Sequence, residues 1–489
     1  MLFNSIEFIV FFIATVVSYM LMPQRLRLPL LLIASLVFYG WSGPLFLVHL
    51  LVAATLVYYF ALAIEKAEDK PRKQMILTIA IVLLVLNLVG FKYTSFFNET
   101  LRGLFGWFGA SYDVPVLNII LPLGISFYTF LMIGYLIDTF RGDKAERDPW
   151  VFGTFVFFFP KMIAGPIERG KNLLPQLRSP LTGFDYALMT AGLQLMLWGA
   201  FKKVVVADRI APFVNRVYDD PHAFDGVAMV FATWLYAFQL YFDFSGYTDI
   251  ALGAAMVFGI KLLPNFNRPY FAVSIQDFWK RWHISLSSWL NDYVYTPFSR
   301  SRWTGLKMYN LMLAGMMLTF VVSGFWHGAN WTFIVWGALH GTYVVVSLLA
   351  QKPWNKFAKN SGLTKRPKTY RALKIGVTFF LVCFAYIFFR SDSLADAGYI
   401  ITHMHTGWGS FAGGIRSVID GKLAEMALAI LGIIVVMAPE WYKDHAKVGT
   451  IYRALPSWQR WGLVYAATVA VVILGAYYNL DQKFIYFRF

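Results

Sequence analysis

Long apolar runs recur along the whole chain, and they restrict its fold more than any other feature. One example is MILTIAIVLLVLNLVG, residues 75–90. In a bilayer, only helices and closed β-barrels pair every backbone polar group. Barrel strands alternate apolar and polar residues, and these runs do not. The sequence therefore predicts helices that cross a membrane.

The composition supports an all-α polytopic membrane protein. Of the 489 residues, 58% are hydrophobic and 14% are charged, and the mean hydropathy is +0.55. A soluble protein would carry about 25% charged residues. The net charge of +16 does not indicate nucleic acid, because the basic residues cluster in short loops between apolar runs. The lipid bilayer is the expected partner, and residues 1–489 are predicted to form a single integral-membrane domain.

The apolar runs predict the positions of the spans. They are 5–22, 28–41, 45–64, 75–92, 115–137, 185–201, 226–242, 248–263, 309–325, 331–350, 372–389, 423–438 and 461–478. Two further stretches, 150–167 and 271–297, are apolar but too broken to span. Irregular backbone at membrane depth persists only where protein buries it or where it lines a cavity. We therefore expect a working cavity near these stretches.

The distribution of basic residues predicts the orientation. The linker 351–374 holds eight Lys or Arg residues and no acidic residue. Cytoplasmic loops carry an excess of such residues. The linker is therefore expected in the cytoplasm, and the loop 391–422 on the outer side.

The stretch SGFWHGANWTFIVWGALHG, residues 323–341, contains two of the eight histidines. Its glycines and Asn330 predict a helix, a short break and a second helix, with His327 at the break. A histidine there can act as a general base towards a hydroxyl. Backbone N–H groups at Gly328, Ala329 or Asn330 could stabilise an oxyanion. The alternative is a buried histidine hydrogen-bonded to a carbonyl.

His340 is predicted to be structural. On one continuous helix it would lie about 140° around the axis from His327. It occurs in WGALHG, whose small residues allow close packing of helices. A hydrogen-bonding role is therefore favoured over a shared site.

The stretch QDFWKRWHISLSSWLNDYVY, residues 276–295, supplies the second catalytic candidate, His283. Trp279, His283, Leu286 and Leu290 recur at helical spacing, which is also typical of a core or interfacial stripe. Asp277 and Arg281 are four residues apart and are predicted to pair.

The stretch YFDFSGYTDIALG, residues 241–253, places Asp243 and Asp249 around a Ser-Gly pair. We expect the pair to break the helix between two spans. Carboxylates in lipid are costly. They could bind an ion, pair with Lys or Arg, or orient a histidine, and this motif favours an ion-coupled transporter.

The stretch FFFPKMIAGPIERG, residues 157–170, is bent by prolines and carries Lys161, Glu168 and Arg169. It could line a cytoplasmic entrance for an anionic cofactor or form a plain re-entrant hairpin. No metal site is expected, because HMH at 403–405 has too few ligands around it.

Five motifs in this order carry a family resemblance: PLGISFYTF, FFPKMIAGPIERGKNLLPQL, YFDFSGYTDIALG, FWKRWHISLSSWLNDYVY and WHGANWTFIVWGALHG. The chain resembles the membrane-bound O-acyltransferase (MBOAT) family, most of all its bacterial alginate O-acetyltransferases and teichoic-acid D-alanyl transfer relatives. The likeness is strongest over residues 120–345. It implies about eleven spanning helices plus re-entrant ones around a central tunnel.

The resemblance also implies an activity. Such enzymes move an acyl group from a cytoplasmic thioester, here acetyl-CoA, to a hydroxyl acceptor. They require no bound cofactor. Members that act on surface polymers lie in the bacterial inner membrane. Such members often work with a periplasmic partner of the SGNH type and with polysaccharide synthesis machinery.

The family's catalytic histidine corresponds to His327, and its second polar position corresponds to His283. Further candidates for contact with substrate or tunnel are Trp326, Asn330, Asp243, Tyr247, Arg281, Asp277, Arg169 and His340.

The acceptor stays open. Alginate-type members have a Gly-rich turn after the DYVY motif, whereas this chain has TPFSRSRWTG at 296–305. Alginate, cellulose, peptidoglycan or another glycan would fit, as would D-alanyl transfer. Outside this enzyme class, the alternatives are a transporter that uses Asp243 and Asp249, and a scaffold of a polysaccharide synthesis complex.

Overall fold

A computed structural model of the chain describes residues 1–3, 5–112, 114–115, 120–163, 165–179, 185–301, 305, 307–441, 452 and 454–477. Within these ranges the secondary structure is helical and no strand occurs. The fold is therefore that of an all-α polytopic membrane protein, as the apolar runs predict.

The chain packs as two compact units. The first comprises Met1–Leu195 and Ala251–Leu263. Its helices are α1 (Ile6–Leu21), α2 (Gln24–Gly40), α3 (Pro44–Lys66), α4 (Lys70–Lys92), α5 (Thr94–Trp107), α6 (Ile125–Phe140), α7 (Pro149–Phe157), α8 (Phe159–Met162), α9 (Gly170–Arg178) and most of α10 (Tyr186–Ala200).

The second unit comprises Met196–Ile250 and Pro264–Phe489. A π-helix, Phe201–Ala207, leads into α11 (Asp208–Tyr218), and most of α12 (Gly226–Val257) belongs to this unit. The helices that follow are α13 (Ile275–Trp279), α14 (Ile284–Leu290), a second π-helix (Asn291–Tyr295), α15 (Thr296–Ser299), α16 (Met308–His327), α17 (Trp331–Leu349), α18 (Gln351–Asn360), α19 (Pro367–Arg390), α20 (Leu394–His403), α21 (Phe411–Ile419), α22 (Leu423–Trp441) and α23 (Ser457–Leu474).

Among the described residues, seven helices are long and apolar enough to cross a membrane. They are α3, α4, α12, α16, α17, α19 and α22. Shorter apolar helices, α1 and α6, accompany them. Each of the nine overlaps a predicted span. A total of eleven spans, a central tunnel and a single domain remain predictions.

The predicted break at Ser245-Gly246 is wrong. Instead of two spans at 226–242 and 248–263, α12 continues for 32 residues. Gly246 marks a close crossing of helices: a Cβ on it would lie 2.7 Å from the Gly199 carbonyl oxygen, and a Cβ on Gly199 would lie 2.5 Å from the Gly246 oxygen. Both glycines let two backbones touch, so the small residue serves packing and not a turn.

The two broken stretches are confirmed as irregular. Helix α7 ends at Phe157 and the four-residue α8 begins at Phe159, one position before Pro160. Residues 271–297 divide into short helices and a π-helix instead of one continuous helix. The stripe that was expected to run through His283 is therefore interrupted at that residue. Residues 302–304 of the TPFSRSRWTG segment lie outside the described residues.

Candidate active site

His327 is the last residue of α16, as the sequence predicts. Gly328 is extended (φ −161°, ψ 150°) and α17 begins at Trp331. The two helices form a tight antiparallel hairpin, because a Cβ on Gly324 or on Gly337 would overlap the backbone of the opposite helix. Small residues allow such close approach in membranes. The break and the tight packing fix where the His327 ring points.

Aromatic rings surround the His327 imidazole, which is 3% exposed. Its ring centroid lies 5.0 Å from Trp326, 5.0 Å from Trp336 and 5.3 Å from Phe389. All three contacts are edge-on, and the Trp336 plane is at 90° to the imidazole. A titratable ring is thus held in a dry, rigid cage, which is the environment that favours transfer of a proton within a site.

His283 lies where α13 has ended and α14 has not begun. Its backbone is left-handed (φ 44°, ψ 53°), which is uncommon for a residue other than glycine. Its Nδ1 accepts a hydrogen bond of 3.3 Å from the Leu286 backbone N–H and so caps α14. The neutral ring must therefore carry its proton on Nε2. Burial lowers the pKa of His283 to about 3, so the ring is neutral at ordinary pH.

The structure brings the two histidines together. The ring centroids of His283 and His327 are 6.4 Å apart, and their planes are at 83°. The Trp326 ring centroid is 6.0 Å from that of His283, and the Phe244 ring of α12 is 4.7 Å from it. The backbone around His283 is pinned by Asn265, whose carbonyl accepts from the Ile284 N–H at 2.9 Å.

The groups expected to stabilise an oxyanion are partly used elsewhere. The Gly328 N–H donates to the Gly324 carbonyl at 3.4 Å, because it closes the last turn of α16. The Asn330 side chain accepts from the Thr332 N–H and donates to the Asp392 carbonyl, so it caps α17. The Asn330 side chain therefore orients the helix, and the Gly328 N–H is not an available donor in this conformation. Oxyanion stabilisation by the backbone N–H groups of Ala329 or Asn330 stays a prediction.

His340 lies in a hydrogen-bonded aromatic cluster, as expected. Its Nδ1 accepts from the Trp279 indole N–H at 3.2 Å, and the ring is fully buried. The Trp336 ring lies 4.9 Å from His340 on one side and 5.0 Å from His327 on the other. The indole of Trp336 thus separates the two histidines, which do not share a site as direct neighbours.

Asp277 and Arg281 form the predicted ion pair. The Arg281 Nε donates to Asp277 Oδ1 at 2.8 Å, one turn along the chain. The other carboxylate oxygen accepts from the Val273 N–H. Both side chains are partly exposed and hold the α13 turn together.

Asp243 and Asp249 are paired with lysines. Lys203 Nζ lies 2.5 Å from Asp243 and 2.7 Å from Asp208, and Lys202 Nζ lies 2.6 Å from Asp249. Of the options that the motif leaves open, the structure shows pairing with Lys. Tyr247 is buried in the same cluster, with Lys203 5.5 Å from its ring centroid. Ion pairs with Lys202 and Lys203 therefore hold both carboxylates.

The charges of the 157–170 stretch belong to the first unit. Lys161 Nζ donates to the Val156 carbonyl at 2.8 Å. Glu168 accepts from Asn172 and from the Leu263 N–H. Arg169 is the residue before α9, and its carbonyl accepts from that helix. The contacts of Lys161 and Glu168 tie local segments together.

Two contacts of His327 were not foreseen. Trp336 and Phe389 lie in apolar helices. In such helices the sequence does not distinguish an aromatic residue that faces the protein interior from one that faces lipid. The i+9 spacing from His327 to Trp336 spans a helix break, so periodicity cannot relate them. Only the tertiary packing of α16, α17 and α19 selects these rings.

Comparison with known proteins assigns the chain to a family. The model of the membrane-bound O-acyltransferase family matches residues 148–390, which include His283 and His327. The "Probable alginate O-acetylase" of Azotobacter vinelandii is 38% identical, with 81% of this chain and 76% of that protein covered.

Two further relatives have other acceptors or acyl groups in their names. The peptidoglycan O-acetyltransferase of Helicobacter pylori is 34% identical over 81% of this chain and 78% of its own length. The teichoic acid D-alanyltransferase of Bacillus subtilis is 31% identical over 56% of this chain and 70% of its own length. The family model and these relatives support an O-acyltransferase, in a multi-pass membrane protein. The chain belongs to the membrane-bound O-acyltransferase family.

Proposed function

We propose that the protein transfers an acetyl group from cytoplasmic acetyl-CoA to hydroxyl groups of an extracytoplasmic polysaccharide, with His327 as general base. The observation that carries this proposal is the placement of His327 at a helix break, in an aromatic cage and beside His283. This arrangement offers a base, a neutral hydrogen-bond donor and little water.

The proposed reaction balances through one proton. His327 removes the proton from the acceptor hydroxyl, and the oxygen attacks the thioester carbonyl carbon. The C–O bond forms as the C–S bond breaks. The CoA thiolate leaves and takes the proton back from His327, so that the imidazole is regenerated.

His283 has a different role in this proposal. Its Nδ1 is engaged with the Leu286 N–H, so Nε2 carries the proton of the neutral ring. That N–H is assigned to the oxyanion that develops on the thioester carbonyl. A neutral donor serves this purpose in a dry site, because it needs no counter-ion.

The relatives support acetyl as the acyl group. Proteins named as alginate O-acetylases and as a peptidoglycan O-acetyltransferase align over 81% of this chain. The D-alanyltransferase aligns over 56%. Alginate is the proposed acceptor, because the 36–38% identity to the first two alginate relatives exceeds the 34% to the peptidoglycan enzyme. We place the protein in the bacterial inner membrane, where it would work beside an SGNH-type periplasmic partner and polymer synthesis machinery.

The test follows labelled acetyl-CoA. Purified full-length protein in nanodiscs is incubated with radiolabelled acetyl-CoA and with polymannuronate, peptidoglycan fragments or no acceptor. CoA release and label in the polymer are measured. We expect transfer to polymannuronate that is lost in His327→Ala. A second series adds the periplasmic partner, to show whether it is needed for transfer to polymer.

Three results would count against the proposal. Normal acetyl transfer by the His327→Ala variant would exclude His327 as the general base. Label found only in peptidoglycan fragments would show that peptidoglycan, and not alginate, is the acceptor. Ion-coupled uptake without any CoA release would favour transport.

A further inference from the structure

A groove between α3 and α4 lies outside the site described above. It has a volume of about 210 Å³. Ten residues line it, eight of them apolar: Val52, Ala53, Leu56, Val57, Phe60, Ala80, Leu83 and Leu84, with His49 and Asn87 as the polar members. Both helices are candidate membrane spans. The groove therefore faces hydrocarbon along most of its length.

The groove has a buried floor and an open side. Val57 and Ala80 are each 1% exposed and form the floor. Val52, Leu56 and Leu83 are about half exposed and form the rims. The distance from His49 to Phe60 along α3 is about 16 Å at the helical rise. The shape is thus a long slot that opens sideways towards the membrane.

The polar end of the slot is held by a hydrogen-bonded chain. The Tyr128 hydroxyl of α6 lies 3.4 Å from His49 Nδ1, and His49 Nε2 lies 2.8 Å from Asn87 Oδ1. Since Asn87 Oδ1 is an acceptor, His49 donates from Nε2 and accepts at Nδ1. In this arrangement the Asn87 amide oxygen faces His49.

In this orientation the Asn87 amide nitrogen is a donor that His49 does not use. The Asn87 Nδ2 atom is buried and has no hydrogen-bond partner among the residues that the structure describes. A buried amide donor without a hydrogen-bond partner is costly. A ligand that combines a hydrogen-bond acceptor with an apolar chain would pair with the amide donor and fill the slot.

The position of the polar end indicates which acceptor. His49 lies in the second turn of α3 and Asn87 lies five residues before the end of α4. Both are thus close to the same end of the two antiparallel helices, near the interface, whereas Phe60 and Ala80 lie deeper. The ester carbonyls of phospholipids lie at that depth and their acyl chains run inward.

We propose that this slot binds one phospholipid, with an acyl chain along Val57 and Ala80 and an ester carbonyl that accepts from Asn87 Nδ2. The site is independent of acyl transfer at His327. Its lining contains no residue assigned to catalysis.

The experiment uses full-length protein in nanodiscs that contain phosphatidylethanolamine with a diazirine midway along one acyl chain. After irradiation, adducts are mapped by peptide mass spectrometry. We expect adducts concentrated on Leu56 and Leu83. Asn87→Leu, which is nearly isosteric, should lower them about fivefold, the ratio for loss of one hydrogen bond. Ala53→Phe, which fills the slot, should lower them further.

The controls separate a site from contact with bulk lipid. Leu86→Phe changes an exposed residue of α4 outside the slot and should leave the adducts unchanged. An ether-linked phosphatidylethanolamine with the same diazirine chain lacks the carbonyl acceptor and should label the slot weakly. Three results would overturn the proposal: adducts spread evenly over both helices, equal labelling by the ether-linked lipid, or an unchanged yield in Asn87→Leu that elutes as a monodisperse, folded protein.

Discussion

The rings of His283 and His327 lie 6.4 Å apart with their planes nearly perpendicular, although each belongs to a different helix end. His283 caps the start of α14 and His327 closes the end of α16. Both side chains are therefore placed by backbone breaks, where a small change of backbone moves a whole ring. Substitutions that keep these breaks should affect chemistry, and substitutions that alter them should affect folding.

His327→Ala should lower the rate of acetyl transfer by about 10²–10⁴-fold, the usual contribution of a general base. The deletion leaves space between Trp326 and Trp336, so added imidazole should restore part of the rate. The measurement is CoA release with and without imidazole. The same imidazole added to wild type is the control. A loss of activity that accompanies aggregation and resists imidazole would point to a folding role instead.

His283→Asn should keep most of the fold and part of the activity. Asparagine tolerates the left-handed backbone of this position and can both cap α14 and offer an N–H. His283→Leu keeps the volume but removes both groups, so it should lose the cap and the donor. The removed cap alone costs about 1 kcal/mol. Melting temperature and CoA release in the two variants measure the two effects separately.

The pH profile of His283→Asn should have the same acid limb as that of the wild type. Burial lowers the pKa of His283 to about 3, so this ring stays neutral throughout an assay between pH 5 and 9 and cannot produce the limb. Rates of CoA release across that range provide the check. A limb that disappears in the variant would show that His283 titrates during turnover.

The sequence predicted those features that a local signal marks. Gly328 and Asn330 indicated the break after His327, and the apolar runs indicated most spans. It did not predict the left-handed backbone of His283, because no side chain near it signals that conformation. The break predicted at Gly246 was wrong, because the sequence alone does not distinguish a glycine in a turn from a glycine at a helix crossing. Trp336 and Phe389 became neighbours of His327 only through tertiary packing.

His340→Leu should lower stability and leave the chemistry of each folded molecule nearly intact. The substitution removes the acceptor of the Trp279 indole N–H, and an unpaired buried donor costs about 1–3 kcal/mol. Adding Trp279→Phe removes the donor as well, so the double variant should lose less than the sum of the single variants. Thermal unfolding in detergent measures the coupling. A fall in turnover as large as that of His327→Ala would instead make His340 part of the catalytic site.

Lys203→Met should destabilise the second unit strongly. Lys203 is 1% exposed and pairs with both Asp243 and Asp208. Removing one partner of a buried ion pair costs about 3–5 kcal/mol, because charge is left without compensation. Arg147→Met, which removes an exposed pair with Glu65, should cost no more than about 1 kcal/mol. If Lys203→Met melts like wild type but changes ion flux, the carboxylates have a transport role after all.

Gly246→Ala should destabilise the protein although alanine is the better helix former. The added Cβ would lie 2.7 Å from the Gly199 carbonyl oxygen, which is closer than real Cβ contacts, so the crossing helices must separate. Gly376→Ala in α19 is the matched control, since nothing lies within 4 Å of its Cβ position. That variant should gain up to about 1 kcal/mol from helix propensity. The measurement is the melting temperature of the two variants in the same detergent. Equal shifts of the melting temperature would mean that Gly246 does not hold the crossing. Opposite shifts would show that close approach of the helices, and not a break in α12, requires this glycine.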